Sequence, residues 1–146
     1  MATPDAIEEL TIRRRLDALV EAIRGMDVDG ATAIYAADIV SFDVEPPLQH
    51  LGAGAKRTNW RNVFSMYQPP LEYEMRDLAI VAGDGVAFAH GLVRIGGTLK
   101  SGEKTGHWLR STMCLRKVEG AWRIVHDHVS APLDMKTGSA LVNLQP

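Results

Sequence analysis

The chain has 146 residues, of which 46% are hydrophobic and 23% charged, which is ordinary for a soluble globular protein and favours a single domain over residues 1–146. Its 16 basic and 18 acidic residues give a formal net charge of −2, which argues against nucleic acid as a partner. Cys114 is the only cysteine, so an intrachain disulfide is excluded and a cytoplasmic location is expected.

The first quarter of the chain has the pattern of two helices. Thr3-Pro4 predicts a helix start, because threonine caps helices and proline suits their first turn. Apolar residues recur at helical spacing until Gly25. A second, shorter helix is predicted after Asp27, and it should carry Ile34 and Tyr35. The N-terminus has no signal-peptide pattern and no apolar run is long enough to span a bilayer, so no membrane partner is expected.

A short strand and a third helix follow. Residues 39–44 alternate as a strand, which Pro46-Pro47 ends because proline cannot donate to a ladder. The third helix follows Gly52 and carries an apolar stripe at helical spacing. That stripe consists of Trp60, Val63, Phe64 and Tyr67.

The second half of the chain alternates with a period of two residues, which predicts strands joined by tight turns. The four predicted strands are Leu71–Val81, Val86–Leu99, Gly106–Val118 and Ala121–Ser130. Three helices followed by an antiparallel meander indicate an α+β fold. Residues 131–146 are predicted to form a loose C-terminal tail.

Motif searches give mostly negative results. His126 and His128 share one face of the last strand, but no spacing supplies a third ligand, so packing at a subunit contact is favoured over a metal site. The glycines before Lys56 lack the spacing of a phosphate loop, and Cys114 lacks the signature of a nucleophile. Neither a metal nor a cofactor is expected.

Several stretches together resemble the SnoaL-like branch of the nuclear transport factor 2-like superfamily, to which ketosteroid isomerases belong. The similarity covers nearly the whole chain. It is carried by Tyr35–Asp43 (YAADIVSFD), Pro46-Pro47-Leu48, Gly52, Trp60 and Trp122–Ser130 (WRIVHDHVS). The resemblance implies a cone, in which a strongly curved sheet wraps three helices around an apolar pocket.

The resemblance also implies a general base. The isomerases use an aspartate at the place of Asp43, whereas periodicity alone puts Asp43 on the solvated side of its strand, opposite Val40 and Phe42. The two oxyanion donors of the isomerases would fall at Leu19, which cannot donate, and at Thr112, a much weaker acid. Steroid isomerisation is therefore not favoured.

The same resemblance orients the strands and implies the pocket lining. The expected catalytic residues are Asp43, His90 and Asp127. The expected substrate-binding residues are Trp60, Phe88, Arg94, Trp108, Arg110 and Thr112. Leu92, Cys114, Val125 and Val129 would face the same pocket. From the residues alone, a structural ion pair between Arg110 and Asp127, or a satisfied core histidine at position 90, explains the pattern equally well.

Two classes of function follow from the resemblance. The first is a cofactor-independent isomerase, dehydratase or cyclase that moves a proton on an apolar carbonyl or hydroxyl compound. The second is a non-catalytic module that binds a small acid or self-associates, like the calcium/calmodulin-dependent kinase II association domain, with Arg94 and Arg110 lining its pocket. A homodimer through the outer sheet face is expected, because the predicted strand Gly106–Val118 is apolar on both faces.

Overall fold

The computed structural model describes residues 2–146 and places three helices where the sequence predicts them. They are α1 (Pro4–Arg24), α2 (Val28–Thr32) and α3 (Ala53–Met66). Thr3 caps α1 by accepting a hydrogen bond from the Ala6 amide. The second helix was predicted too long: it ends at Thr32, and Tyr35 instead begins a strand that pairs with Ile124.

One six-stranded sheet forms the rest of the fold. Its strands are β1 (Tyr35–Phe42), β2 (His50–Leu51), β3 (Glu72–Ala82), β4 (Val86–Thr98), β5 (Lys104–Val118) and β6 (Ala121–Ser130), in the order β2-β1-β6-β5-β4-β3. The four strands predicted as an antiparallel meander, β3 to β6, are each antiparallel to their neighbours, which confirms that prediction. The sheet as a whole is mixed and not antiparallel throughout, because β1 runs parallel to β6. The three helices and the single sheet confirm the α+β class. A parallel β1–β6 pair is possible because the chain between the two strands is long, and only strands joined by a short turn must be antiparallel.

The core lies between the helices and one face of the sheet, here called the inner face. Ile12, Leu16 and Ile23 of α1 are fully buried with Leu115 and Trp122 of the sheet. Ile34 and Phe64 are also buried, and Trp60 is partly buried against the cluster. Leu92 is only half-buried.

A bulge changes the faces of β6. Cys114 pairs with His126, but Leu115 pairs with Ile124, so Val125 is the extra residue. A bulge inserts one residue without a partner and shifts the alternation beyond it. Ile124 and Asp127 therefore both face inward although they are three residues apart, and the expected inward position of Val125 was wrong.

The segment 131–146, predicted as a loose tail, has no helix or strand and contains one hydrogen-bonded turn. Leu133 bridges to Ala140, and the Leu141 amide donates to the Pro132 carbonyl at 2.8 Å. This turn brings Val142 to the wall of the cavity described below. Within residues 2–146, no helix combines the length and apolar character needed to cross a bilayer.

Candidate active site

A cavity of about 450 Å³ lies between α3, Leu19 of α1 and the inner face of the sheet. Its volume lies in the range of small-molecule sites, which are mostly apolar with a few polar groups. The wall is mostly apolar and includes Leu19 of α1, Trp60 and Val63 of α3, Val93 of β4 and Leu109 of β5. The cavity therefore suits an apolar ligand.

A buried lysine joins two carboxylates in the wall of this cavity. The Lys56 side chain is only 5% exposed, and its Nζ lies 3.1 Å from Asp127 Oδ2 and 3.9 Å from Asp43 Oδ2. Lys56 Nζ also donates to Ser41 Oγ at 3.1 Å. A buried ammonium group is tolerated only with such partners, because desolvation of an unpaired charge costs several kcal/mol.

The two carboxylates are engaged differently. Asp127 is 8% exposed and has both oxygens occupied, Oδ1 by the Ser41 hydroxyl and Oδ2 by Lys56. Asp43 is 24% exposed; its Oδ1 accepts from the Val44 amide at 2.7 Å, and its Oδ2 has only the longer contact with Lys56. Asp43 is thus the carboxylate with an oxygen free to take a proton from a ligand.

Two tyrosines add neutral hydroxyl groups to the wall. The Tyr35 oxygen accepts a hydrogen bond from Trp60 Nε1 at 2.9 Å, and Lys56 Nζ lies 5.2 Å from the centre of the Tyr35 ring. Burial raises the pKa of Tyr35 far above its ordinary value, and the nearby Asp127 charge raises it further. Burial also raises the pKa of Tyr73. Both side chains therefore remain O–H donors at any physiological pH.

Local structure places these groups. Ser41 lies in β1 and Asp43 directly follows the strand. Both side chains face inward, because side chains two residues apart point to the same side of a strand. The loop that follows is fixed by His50, whose Nδ1 lies 3.2 Å from the Asn59 amide and whose Nε2 lies 3.1 Å from the Glu45 carbonyl. This brace ties the loop after Asp43 to α3, the helix that carries Lys56.

Three of the predicted site residues line the cavity: Asp43, Asp127 and Trp60. Val129 lines it as well. The inward placement of Asp43 corrects the simple periodicity argument, since the Phe42 side is the outer one. What these residues do in a reaction stays a prediction.

The other predicted site residues are not part of the cavity wall. They are Phe88, His90, Arg94, Trp108, Arg110 and Thr112, and Cys114 lies with them. The cavity is lined instead by the alternate residues of β4 and β5, such as Val93, Leu109 and Met113. The prediction therefore assigned the wrong face of β4 and β5 to the cavity. Because side chains alternate between the two faces, a shift of one residue moves every side chain of the set to the opposite face.

On the outer face these residues contact one another and solvent. Arg94 lies 3.8 Å from Glu72, and Arg110 Nε donates to Ser130 Oγ at 3.2 Å. Trp108 packs under the guanidinium of Arg76, 4.5 Å from its ring centre. The suggested ion pair between Arg110 and Asp127 does not form, because the two side chains lie on opposite faces of the sheet.

The two histidines of β6 also lie on the outer face. Phe42 packs edge-on against both, with ring centres 4.7 Å from His126 and 5.5 Å from His128. His126 Nδ1 lies 2.6 Å from the Val40 carbonyl. Within residues 2–146, no three histidine, cysteine or acidic side chains converge as a metal site would need.

Sequence reasoning missed Lys56, Ser41 and Tyr35 as site residues. Lys56 precedes Trp60 by four residues and Val63 by seven, so it continues the apolar stripe of α3. A lysine on an apolar helix face is a signal for a buried partner, and that signal was present in the sequence. Ser41 is likewise two residues before Asp43 and so shares its face.

Comparison with known families agrees with this architecture. Residues 12–134 match the SnoaL-like domain family. The chain belongs to this family. No functionally curated protein sequence matches it.

Solved structures similar to this SnoaL-like protein share its fold. An NTF2-like protein of unknown function from Pseudomonas putida KT2440 is 35% identical, covers 96% of this chain and 97% of its own, and superposes with a TM-score of 0.87. A ketosteroid isomerase-like protein from Erwinia carotovora atroseptica is 22% identical over 84% of this chain and 95% of its own, with a TM-score of 0.70. The association domain of CaMKII from C. elegans is 18% identical over 87% and 98%, with a TM-score of 0.68. The last two show the fold alone.

Proposed function

We propose that this SnoaL-like protein is a cofactor-independent enzyme that moves a proton on an apolar carbonyl or hydroxyl compound, as an isomerase, dehydratase or cyclase. The proposal rests on two groups in the wall of an apolar cavity: the carboxylate of Asp43, whose Oδ2 accepts no short hydrogen bond, and the buried ammonium group of Lys56 beside it. A base beside a fixed positive charge is the equipment that proton abstraction next to a carbonyl requires.

In this mechanism Asp43 Oδ2 accepts a proton from the carbon next to the ligand carbonyl. The electron pair of that C–H bond moves toward the carbonyl oxygen, which gains negative charge. The Tyr35 hydroxyl can stabilise this charge, because its oxygen accepts from Trp60 and its own proton has no acceptor among residues 2–146. The Lys56 ammonium stabilises it electrostatically, and Asp127 with Ser41 holds Lys56 in place.

The three reaction types differ only in where the electrons go next. Return of the proton from Asp43 to another carbon gives isomerisation. In dehydration the β-hydroxyl group takes the proton from Asp43 and leaves as water while the electron pair forms the C=C bond. In cyclisation the carbanion attacks a second carbonyl carbon, and the alkoxide that forms takes the proton from Asp43. All three begin with the same proton transfer, so one site can support any of them.

The charges of the cavity argue against the rival role as a binder of small acids. The charged residues that line it are Asp43, Glu45, Asp127 and Lys56, three acidic groups and one basic group. An anion entering this cavity would meet excess negative charge. The arginines that were expected to bind an acid, Arg94 and Arg110, are absent from the wall.

The proposal is tested with a substrate panel that covers the three reactions: β,γ-unsaturated ketones, β-hydroxyketones and 1,5-diketones, each with an aryl group. We expect wild-type protein to convert at least one class and Asp43→Asn to lower its turnover about 100-fold or more. The matched control is Asp38→Asn, an exposed aspartate on the same strand, which should leave turnover unchanged. Equal turnover in wild type and Asp43→Asn would remove Asp43 from the mechanism.

We also propose that the protein is a homodimer through the outer face of its sheet. The helices cover only the inner face, and the outer face exposes apolar side chains: Phe88 is 46% exposed, Val81 49% and Phe42 36%. Contiguous exposed apolar surface of this kind is rare on monomers. The similar C. elegans structure is an association domain, which supports self-association as a property of the fold.

A further inference from the structure

The cavity has polar groups at a second place, away from Lys56 and the two aspartates. Thr105 and His107 lie two residues apart on the inner face of β5, about 7 Å along the strand. The Tyr67 hydroxyl, at the C-terminal end of α3, lies 3.0 Å from Thr105 Oγ1. All three side chains are part of the same cavity wall as Asp43.

His107 lacks hydrogen-bond partners in this wall. Its Nδ1 is buried without a partner, and its Nε2 makes no hydrogen bond to any residue from 2 to 146. A buried polar atom left unpaired costs about 1–3 kcal/mol, so such atoms are rare in native proteins and call for an explanation. Nε2, unlike Nδ1, is not a buried atom, so a ligand in the cavity can form a hydrogen bond with the ring at that nitrogen.

The hydroxyl pair beside His107 has spare capacity as well. Tyr67 and Thr105 carry one O–H each, and the contact between them uses only one of the two protons. The second O–H is available to a ligand. A neutral imidazole has one donor and one acceptor nitrogen, so together these groups can serve both a ligand hydroxyl and a ligand carbonyl.

The two polar groups of the cavity, one around Lys56 and the other around His107, are separated by about the length of a small-molecule ligand. Lys56 and Tyr67 are eleven residues apart along α3, which corresponds to about 16 Å. Met113, the partner of Asp127, and His107 are six residues apart along β5, or about 20 Å of curved strand. Apolar side chains such as Trp60, Val63 and Leu109 line the cavity between them.

We infer that His107, with the Tyr67–Thr105 hydroxyl pair, binds a hydroxyl or carbonyl group at the end of the ligand opposite the reacting carbonyl. The substrate class is then an elongated apolar compound with a polar group at each end. This inference rests on the proposed function for the reacting end, but it concerns binding and is tested without turnover. His107 is a specificity-determining residue in this account.

The test uses two probes matched in size: 4-(6-hydroxy-2-naphthyl)but-3-en-2-one and its 6-methyl analogue, which cannot form a hydrogen bond at that end. Their dissociation constants are measured by quenching of tryptophan fluorescence. Wild-type protein should bind the hydroxyl probe about tenfold more tightly than the methyl probe, because one hydrogen bond inside the cavity is worth roughly that factor.

In His107→Leu the tenfold preference should fall to about one, while the methyl probe binds as well as before or better. His107→Gln, which keeps a donor and an acceptor, should retain most of the preference and guards against a leucine variant that fails to fold. His90→Leu is the matched control, because His90 is an exposed histidine on the outer face, and it should keep the full preference.

The outcomes separate this inference from the proposed function. Equal binding of the two probes by wild type, undetectable binding of both, or a preference that survives in His107→Leu would overturn it. If the preference depends on His107 while no substrate of the panel is turned over, the inference stands and the proposed enzyme activity fails. If turnover depends on Asp43 but no preference is found, the reverse holds.

Discussion

Replacing Lys56 by methionine isolates the energetic role of the buried lysine. Methionine keeps most of the side-chain length and apolar contacts and removes the ammonium group. Asp127 would then keep only the Ser41 hydroxyl, although its side chain is 8% exposed. Asp43, which is 24% exposed, can still be hydrated, so most of the penalty arises at Asp127.

The expected size follows from this burial. Removal of one partner from a buried ion pair commonly costs about 3–5 kcal/mol of folding stability. We expect Lys56→Met to lose an amount of folding stability in that range. Lys56→Met/Asp127→Asn should recover part of the loss, which corresponds to a coupling energy between Lys56 and Asp127 of more than about 1 kcal/mol. The neighbouring Arg57→Met is the control, because Arg57 pairs at 2.5 Å with Asp29, which is 84% exposed; such surface pairs contribute about 1 kcal/mol or less.

The assay is urea unfolding of five proteins, namely wild type, Lys56→Met, Asp127→Asn, the double variant and Arg57→Met, because the coupling requires both single variants. All are measured at one protein concentration, since a dimer makes the apparent stability concentration-dependent. The free energies of unfolding are compared at pH 7. A value for Lys56→Met within about 1 kcal/mol of wild type, or equal to that of Arg57→Met, would refute the reasoning that Lys56 and Asp127 form a stabilising buried pair.

Three further predictions follow from the same structure. Tyr35→Phe removes a ligand-facing O–H and should lower turnover about 10- to 100-fold, measured on the best substrate of the panel, and a change below twofold would exclude Tyr35 as a charge-stabilising donor. Because the pKa of Tyr35 is raised in the folded chain, above pH ~10 the unfolded chain loses a phenol proton that the folded chain keeps, and the free energy of unfolding should fall as the pH rises. Tyr35→Phe should make this fall less steep by about 1.4 kcal/mol per pH unit. Parallel curves of unfolding free energy against pH for the two proteins would contradict this. Phe88→Glu should convert the dimer to monomer in sedimentation velocity at micromolar concentration without loss of secondary structure, whereas a monomeric wild type would contradict the proposed interface.

The strand boundaries were predictable because local signals define them. The predicted Val86–Leu99 and Ala121–Ser130 agree with the structure within one residue. Gly85 has a φ of +78° and Gly120 a φ of +82°, so glycines occupy turn positions that other residues rarely adopt. The α3 helix was predictable for the same reason, since its apolar stripe is uninterrupted.

The faces of the strands were harder to predict. Both faces of β5 carry large apolar residues, with Trp108 on one and Leu109 on the other, so alternation does not reveal which face meets the helices. That choice depends on packing between distant parts of the chain. The bulge at Val125 has no local sequence signal either, yet it decides that Ile124 and Asp127 share the inner face.

The candidate site was predictable only in part. The resemblance to ketosteroid isomerases indicated Asp43 and Asp127, whereas periodicity alone assigned Asp43 to the wrong side of its strand. Lys56 was overlooked because a buried lysine is stable only through partners that are distant in sequence: Ser41 is 15 residues away, and Asp127 lies at the other end of the chain. Long-range pairs of this kind appear only when the fold brings the strands together.

The most direct test of the central claim is the exchange of ligand protons with solvent. Purified protein is incubated in D2O with 4-(2-naphthyl)butan-2-one, and loss of the NMR signals of the protons next to the carbonyl is followed for wild type and Asp43→Asn. Proton abstraction by Asp43 predicts exchange that is faster with wild type than in buffer and that falls about 100-fold or more toward the buffer rate in the variant. Exchange at the buffer rate with wild type, or equal acceleration by both proteins, would contradict the assignment of Asp43 as the base.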